Sequence, residues 1–217
     1  ADRPPQSRRE LWIRTLRENP ESADGSRRPR VLAEIQKSYL DSDERRYIHL
    51  VDGGIVDNLG LRAILNDVTL AGGVTGRIEE LGIDRPLDIV VVVVDSQVNP
   101  KKDFDLTPSS PGLTDLMGII TGSQLNHFSF ETIQLTRDRL AKWADQLNRS
   151  GSGPPIQTHL IEVSFALSAD PEERAYLNEL PTSFDLDDEQ VDRLIELGRR
   201  TFRTSPDTTR LLARLEQ

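Results

Sequence analysis

The sequence predicts an α/β fold in which a parallel sheet is covered by helices, and three stretches carry that expectation. Leu87-Asp88-Ile89-Val90-Val91-Val92-Val93-Val94-Asp95 is an unbroken Val/Ile run. A run without polar alternation is what a strand buried on both faces of a parallel sheet requires. Tyr47-Ile48-His49-Leu50-Val51 has β-branched and aromatic character and ends at Asp52-Gly53-Gly54, a strand closed by a turn. Between them Leu61, Ile64, Leu65 and Val68 recur at i, i+3, i+4 and i+7, one face of an amphipathic helix. Strand, helix and buried strand in that order form a βαβ unit.

Residues 1–45 are rich in Arg, Pro, Ser and Asp and are expected to form a loop-rich approach segment, with one short amphipathic patch at Leu11–Leu16. Asp57 or Asn58 is placed to cap the helix through Leu61, and Gly72-Gly73 to end it. Residues 96–112, with three prolines, read as a loop. From Leu113 to Leu147 the pattern is helical: Leu113, Leu116, Met117 and Ile120 share a face, as do Leu140, Trp143, Ala144 and Leu147. Ser150–Pro155 is a turn or connection, and Ile161, Val163 and Phe165 alternate as in a half-covered or edge strand. A last helix is expected from about Leu186 to Phe202, capped by Asp185, with Val191, Leu194, Ile195 and Phe202 facing inward. There is no internal repeat.

The 217 residues suit one domain or most of a larger one. Hydrophobic residues make up 36% and charged residues 29%, lean for a globular chain but clustered into blocks that can build a core. A net charge of −9 and a pI near 4.9 repel phosphate backbones. The arginines are scattered without interleaved aromatics, so nucleic acid is not an expected partner. With no cysteine, disulfides and thiolate metal sites are excluded, while the compartment stays undetermined. The apolar run Ile89–Val94 is too short to span a bilayer, and Ala1-Asp2-Arg3-Pro4-Pro5 does not open a signal peptide. Any export signal is expected upstream.

The chemistry is concentrated in His49-Leu50-Val51-Asp52-Gly53-Gly54-Ile55-Val56-Asp57-Asn58-Leu59-Gly60. An acid at the carboxyl end of a strand sits where ligands and catalytic groups gather in parallel sheets. Glycines after it permit positive φ or close approach of backbone and substrate. On the tripeptide alone, Asp52 reads first as a residue that closes a turn, and Asp57-Asn58 as a helix cap.

The longer string, an apolar strand followed by Asp-Gly-Gly-x-x-Asp-Asn-x-Gly-Leu, resembles the aspartate motif of bacterial patatin-like phospholipases. Two further stretches agree in order: the strand ending in Val94-Asp95-Ser96, and Leu180-Pro181-Thr182-Ser183-Phe184 with the helix through Val191, Leu194 and Gly198. The resemblance covers roughly residues 46 to 203. It implies a three-layer α/β/α fold with a mostly parallel central sheet, of which residues 46–217 supply the C-terminal part. It also implies a serine–aspartate dyad that cleaves lipid or other acyl esters through an acyl-enzyme. Asp52 would be the general base, Gly53 and Gly54 would shape its turn, and Asp57 and Asn58 would brace the loop. Such a dyad needs no histidine, cofactor or metal: a serine becomes nucleophilic when a base lies within hydrogen-bond reach.

The family's Gly-x-Ser-x-Gly elbow and glycine-rich oxyanion loop do not occur in this sequence. Ser123 lies in Thr121-Gly122-Ser123-Gln124-Leu125, and Ser150 and Ser152 lie in a Gly/Ser/Pro turn. Both family features precede the aspartate motif, so the expected partner is an upstream part of the same protein. The chain alone is expected to be inactive. Contact with a membrane surface or micelle is implied for a lipid substrate, although no basic amphipathic helix supplies it. Three other readings remain. A local triad would use His49, His127 or His159, each of which reads more simply as a surface or packing residue. A metal site would use Asp52, Asp57 and Asp95, without EF-hand spacing or a phosphate loop. A non-catalytic binding or regulatory module would keep the fold's C-terminal half.

Overall fold

The computed structural model describes residues 27–39, 43, 45–50, 52–98, 110, 112–150, 153–183 and 185–216. The patch at Leu11–Leu16, most of the loop 96–112, and Val51, Ser152 and Phe184 lie outside them. The fold is mixed α/β, with helices and a two-stranded parallel sheet among the described residues. The chain divides into two compact units, one of residues 1–86 and 145–154, the other of 87–144 and 155–217.

The first unit is helical. α1 (Arg28–Ser38) lies inside the segment expected to be loop-rich, and Arg28 ties it to Asn66 through two hydrogen bonds of 3.1 and 2.8 Å. A single helical turn, α2 (Gly54–Asp57), leads through Gly60 to α3 (Leu61–Leu70). Leu61, Leu65 and Val68 are buried and Ile64 is exposed, so the apolar stripe is narrower than its spacing suggests. Gly73 N donates to Val68 O (2.9 Å) and the chain turns into α4 (Val74–Glu80), which packs on α3. The expected strand at Tyr47–Val51 does not form in its described part. Residues 47–50 carry no strand structure, and Leu50 is 88% exposed. An apolar segment becomes a parallel strand only when a neighbour accepts its backbone hydrogen bonds, and none pairs with it among the described residues.

The second unit holds the sheet. β1 (Asp88–Asp95) pairs in parallel with β2 (Gln157–Ser164), Asp88 opposite Gln157 and Asp95 opposite Ser164. The expected burial of the two strands is reversed. β1, expected to be covered on both faces, exposes Val90, Val92 and Val94. β2, expected to be half-covered, buries His159, Leu160, Ile161 and Val163, with Ile161 at 0% exposure. The reason is where the helices lie: α7 (Asp188–Thr204) and α8 (Pro206–Leu215) both pack on β2. Before them come the long helix α5 (Leu113–Ser150), a 3₁₀ turn at Phe165–Leu167 and α6 (Pro171–Asn178). α5 buries Leu140 and Trp143 in this unit and Leu147 in its last turns, which belong to the first unit, whereas Leu113 and Leu116 stay exposed.

Asp187, not Asp185, caps α7. Its carboxylate accepts from Gln190 N (2.8 Å), and Gln190 Oε1 accepts from Asp187 N (3.0 Å), a reciprocal capping box. The inward face of α7 carries Leu197 and Thr201, while Val191, Ile195 and Phe202 are exposed. Phe165, Leu177, Leu180 and Leu197 form the core, with Val98, Tyr176 and Leu194 packed against it.

A polar knot closes this core. Ser168 Oγ and Arg200 both donate to Glu173, and Arg174 donates to Ser168 O. The Arg200 hydrogen bond, then that of Ser168, hold Glu173 below the usual carboxylate range against the opposing pull of burial. A depressed folded-state value stabilises the fold above the unfolded value, about 4.3 for glutamate, and the gain is lost as pH falls through the folded value. We therefore expect Glu173→Gln to destabilise the protein most at neutral pH and progressively less below about pH 4. Urea unfolding at neutral and acid pH checks this; a deficit that stays constant with pH would mean the ion pair contributes nothing.

Candidate active site

The Asp-Gly-Gly stretch folds as a tight turn that runs directly into a helical one. Asp52 is exposed, and its Oδ1 accepts from Gly54 N at 2.6 Å. A side-chain oxygen bonded two residues onward makes an Asx turn, which fixes the carboxylate against its own backbone. Gly53 O accepts from Val56 N (3.1 Å) and Asp57 N (2.8 Å), which closes α2. Oδ2 of Asp52 has no partner among the described residues, so one oxygen is tethered and the other is not.

The two glycines differ in what they provide. Neither has positive φ; Gly53 is αR, at φ −60°, and a Cβ there would meet nothing within 4 Å. The conformational freedom expected of the pair is thus not what the turn uses. At Gly54 a Cβ would lie 2.8 Å from Asp52 Oδ1 and 3.0 Å from Asn58 Oδ1, so only glycine lets the carboxylate come this close. The left-handed residue is Gly60, at φ +68°, where the chain reverses into α3.

Asp57 serves the following helix and not the Asp52 turn. Its Oδ1 accepts from Arg62 N (3.2 Å) and its Oδ2 from Ala63 N (2.9 Å), so it satisfies amides in the first turn of α3. Asn58 is exposed, with Oδ1 beside Gly54. The role of Asp57 at the start of α3 was legible as a cap signal; the approach at Gly54 has no sequence signature beyond the glycine itself.

The remaining candidates are carried by other segments. Asp95 ends β1 in the other unit, where its Oδ1 accepts from Gln97 N (3.0 Å). Among the described residues no group of three or more His, Asp or Glu side chains is arranged to hold a metal ion. Ser123 and His127 are exposed positions in the middle of α5, and a helix interior is no nucleophile elbow. His49 is exposed, and His159 is buried in β2. No described helix is long and apolar enough to cross a membrane. No family model matches the chain, and neither a curated protein nor a solved structure matches it.

Because the Gly54 position excludes a Cβ, Gly54→Ala should push the Asp52 carboxylate off its amide. We expect the Asp52 Cγ resonance to move, with stability falling by about 0.5–1.5 kcal/mol, the contribution of one hydrogen bond. A Cγ resonance and a stability both equal to wild type would mean that the turn accepts a side chain without moving the acid.

Proposed function

We propose that this chain is the aspartate-bearing part of an acyl-ester hydrolase acting on lipid or other acyl esters through a serine–aspartate dyad. Asp52 is the base, and the serine belongs to the protein upstream of this sequence. The observation that carries the reading is the state of Asp52: a carboxylate tethered through Oδ1 to Gly54 N, with Oδ2 uncommitted at the surface of a turn. In such a dyad the carboxylate takes the serine proton as Oγ attacks the ester carbonyl. The alcohol leaves with a proton, and water then hydrolyses the acyl-enzyme with the same carboxylate as base. A tether on one oxygen leaves the other free for that exchange.

The fold belonging to this reading is a three-layer α/β/α domain with a mostly parallel central sheet. The parallel pairing of β1 and β2 supports it, as do the exposed Val90, Val92 and Val94, which a wider sheet with its helices would cover. A lipid substrate implies contact with a membrane surface or micelle, and no cofactor is required.

One observation favours a second reading. The Asp52–Gly54 hydrogen bond is also how an aspartate closes a turn with no catalytic role, and a binding or regulatory module would keep it for that purpose. The two readings separate on one experiment. The native protein, in extract from its source, is treated with a fluorophosphonate probe. Under the hydrolase reading, a labelled species containing this sequence appears at a mass above 24.4 kDa. Absence of labelling at any mass would favour the module. The 217-residue chain by itself should show no turnover of short-chain acyl esters above background. A rate abolished by Asp52→Asn would mean that the nucleophile lies within it.

A further inference from the structure

In the second unit a buried histidine sits between two carboxylates from different elements. His159 of β2 is 1% exposed. Its Nε2 lies 3.7 Å from Oδ2 of Asp88, the first residue of β1, and its Nδ1 lies 3.8 Å from Oδ1 of Asp207, in the first turn of α8. Neither ring nitrogen has a hydrogen-bond partner among the described residues, and neither does the buried Oγ1 of Thr208, next to Asp207. Asp88 is also held by Arg214 of α8, whose Nε is 2.8 Å from both its oxygens, and by Gln157 N at 3.0 Å. Asp207 is paired with Arg210, which is largely exposed. α7, the other helix on β2, buries Leu197 and Thr201 there and no charged residue. Asp88 and Asp207 are the two carboxylates within 4 Å of the ring among the described residues, and Arg214 and Arg210 are the cations paired with them.

The two neighbours constrain the proton count. A neutral imidazole has one donor and one acceptor nitrogen, whereas an imidazolium has two donors. Both nitrogens of His159 face carboxylate oxygens, which only accept. A neutral ring must therefore aim a lone pair at one carboxylate, and only the doubly protonated ring complements both. Burying a charge is costly unless it is paired, and here two opposite charges flank it.

We propose that His159 is a pH-dependent latch: its doubly protonated ring, between Asp88 and Asp207, fastens the start of α8 to the sheet, and loss of a proton loosens that end. The two ends of α8 differ in what remains. When the ring is neutral, the C-terminal end keeps Arg214 on Asp88, while Asp207 keeps only the exposed Arg210. Release is therefore expected to begin at the N-terminal end of the helix.

The test uses the full chain at about pH 5.5 and pH 8, on either side of the range in which imidazoles change charge. Two quantities are read: the ¹⁵N shifts of the His159 ring, and the protection of α8 amides corrected for intrinsic exchange. We expect both nitrogens to carry protons at the lower pH. We also expect protection at Thr209 and Arg210 to fall about tenfold at the higher pH, as the ion pair between the ring and Asp207 is lost. Leu212–Leu215 should change less. Asp207→Asn, which keeps the ring but removes the carboxylate on α8, should abolish the pH dependence at Thr209, and so should His159→Gln if it folds. A ring with one bare nitrogen at pH 5.5 would overturn the proposal, as would wild-type protection equal at both values.

Discussion

A parallel strand cannot satisfy its backbone hydrogen bonds from its own residues, and the second unit of this chain is organised around that requirement. β1 and β2 are separated in sequence by α5 and meet in register from Asp88–Gln157 to Asp95–Ser164. Once paired, β2 becomes the surface on which the later helices are laid. α7 and α8 both pack on it, and its residues Leu160, Ile161 and Val163 lose their contact with water. Burial of a Leu, Ile or Val side chain contributes roughly 1.5–3 kcal/mol, so these three outweigh any single polar contact in the unit. Val90, Val92 and Val94, which share one face of β1, stay exposed.

The charges are distributed on a different principle. Several ion pairs of the described helices are local: Arg30–Glu34, Arg193–Glu189 and Arg199–Glu196 are exposed, and Arg210–Asp207 joins an exposed arginine to a largely buried carboxylate, each three or four residues apart. Pairs of that kind are screened by solvent and mainly keep the surfaces solvated. Other arginines act at longer range, among them Arg200 and Arg214. Arg200 reaches Glu173 and joins α7 to α6, and Arg214 reaches Asp88 and joins α8 to β1. Arg193 adds a second link from α7 to α6, its guanidinium 4.4 Å above the ring of Tyr176. These long-range contacts fall where helices meet the sheet or one another.

In the first unit, short-range contacts shape the Asp52 turn. The acid is positioned by its own neighbours: Oδ1 on Gly54 N, Gly53 O closing α2, and Asp57 spanning the entry to α3. A carboxylate held within a few residues of chain keeps its orientation without help from distant packing. That locality suits a functional group on a surface turn, and it equally suits a plain turn, which is why the decisive observation must come from the nucleophile.

By itself the sequence determined the features that depend on nearest neighbours. The helix through Leu61, Leu65 and Val68, the Val/Ile strand ending at Asp95, the helical character from Leu113 onward and the Asp-Gly-Gly turn are all set by local spacing and by glycine. Only the tertiary structure decided which apolar residues are buried. Val90, Val92 and Val94 read as core and are exposed; Tyr47–Leu50 reads as a strand and has no partner among the described residues. Val191 and Ile195 read as inward, yet Leu197 and Thr201 take that place. His159, one histidine of three in the sequence, becomes a buried group between two acids only because α8 returns to β2. Spacing specifies how a segment curls, which is a property of a few adjacent residues. Burial and ion pairing require a second segment to arrive, and its arrival is a property of the whole chain.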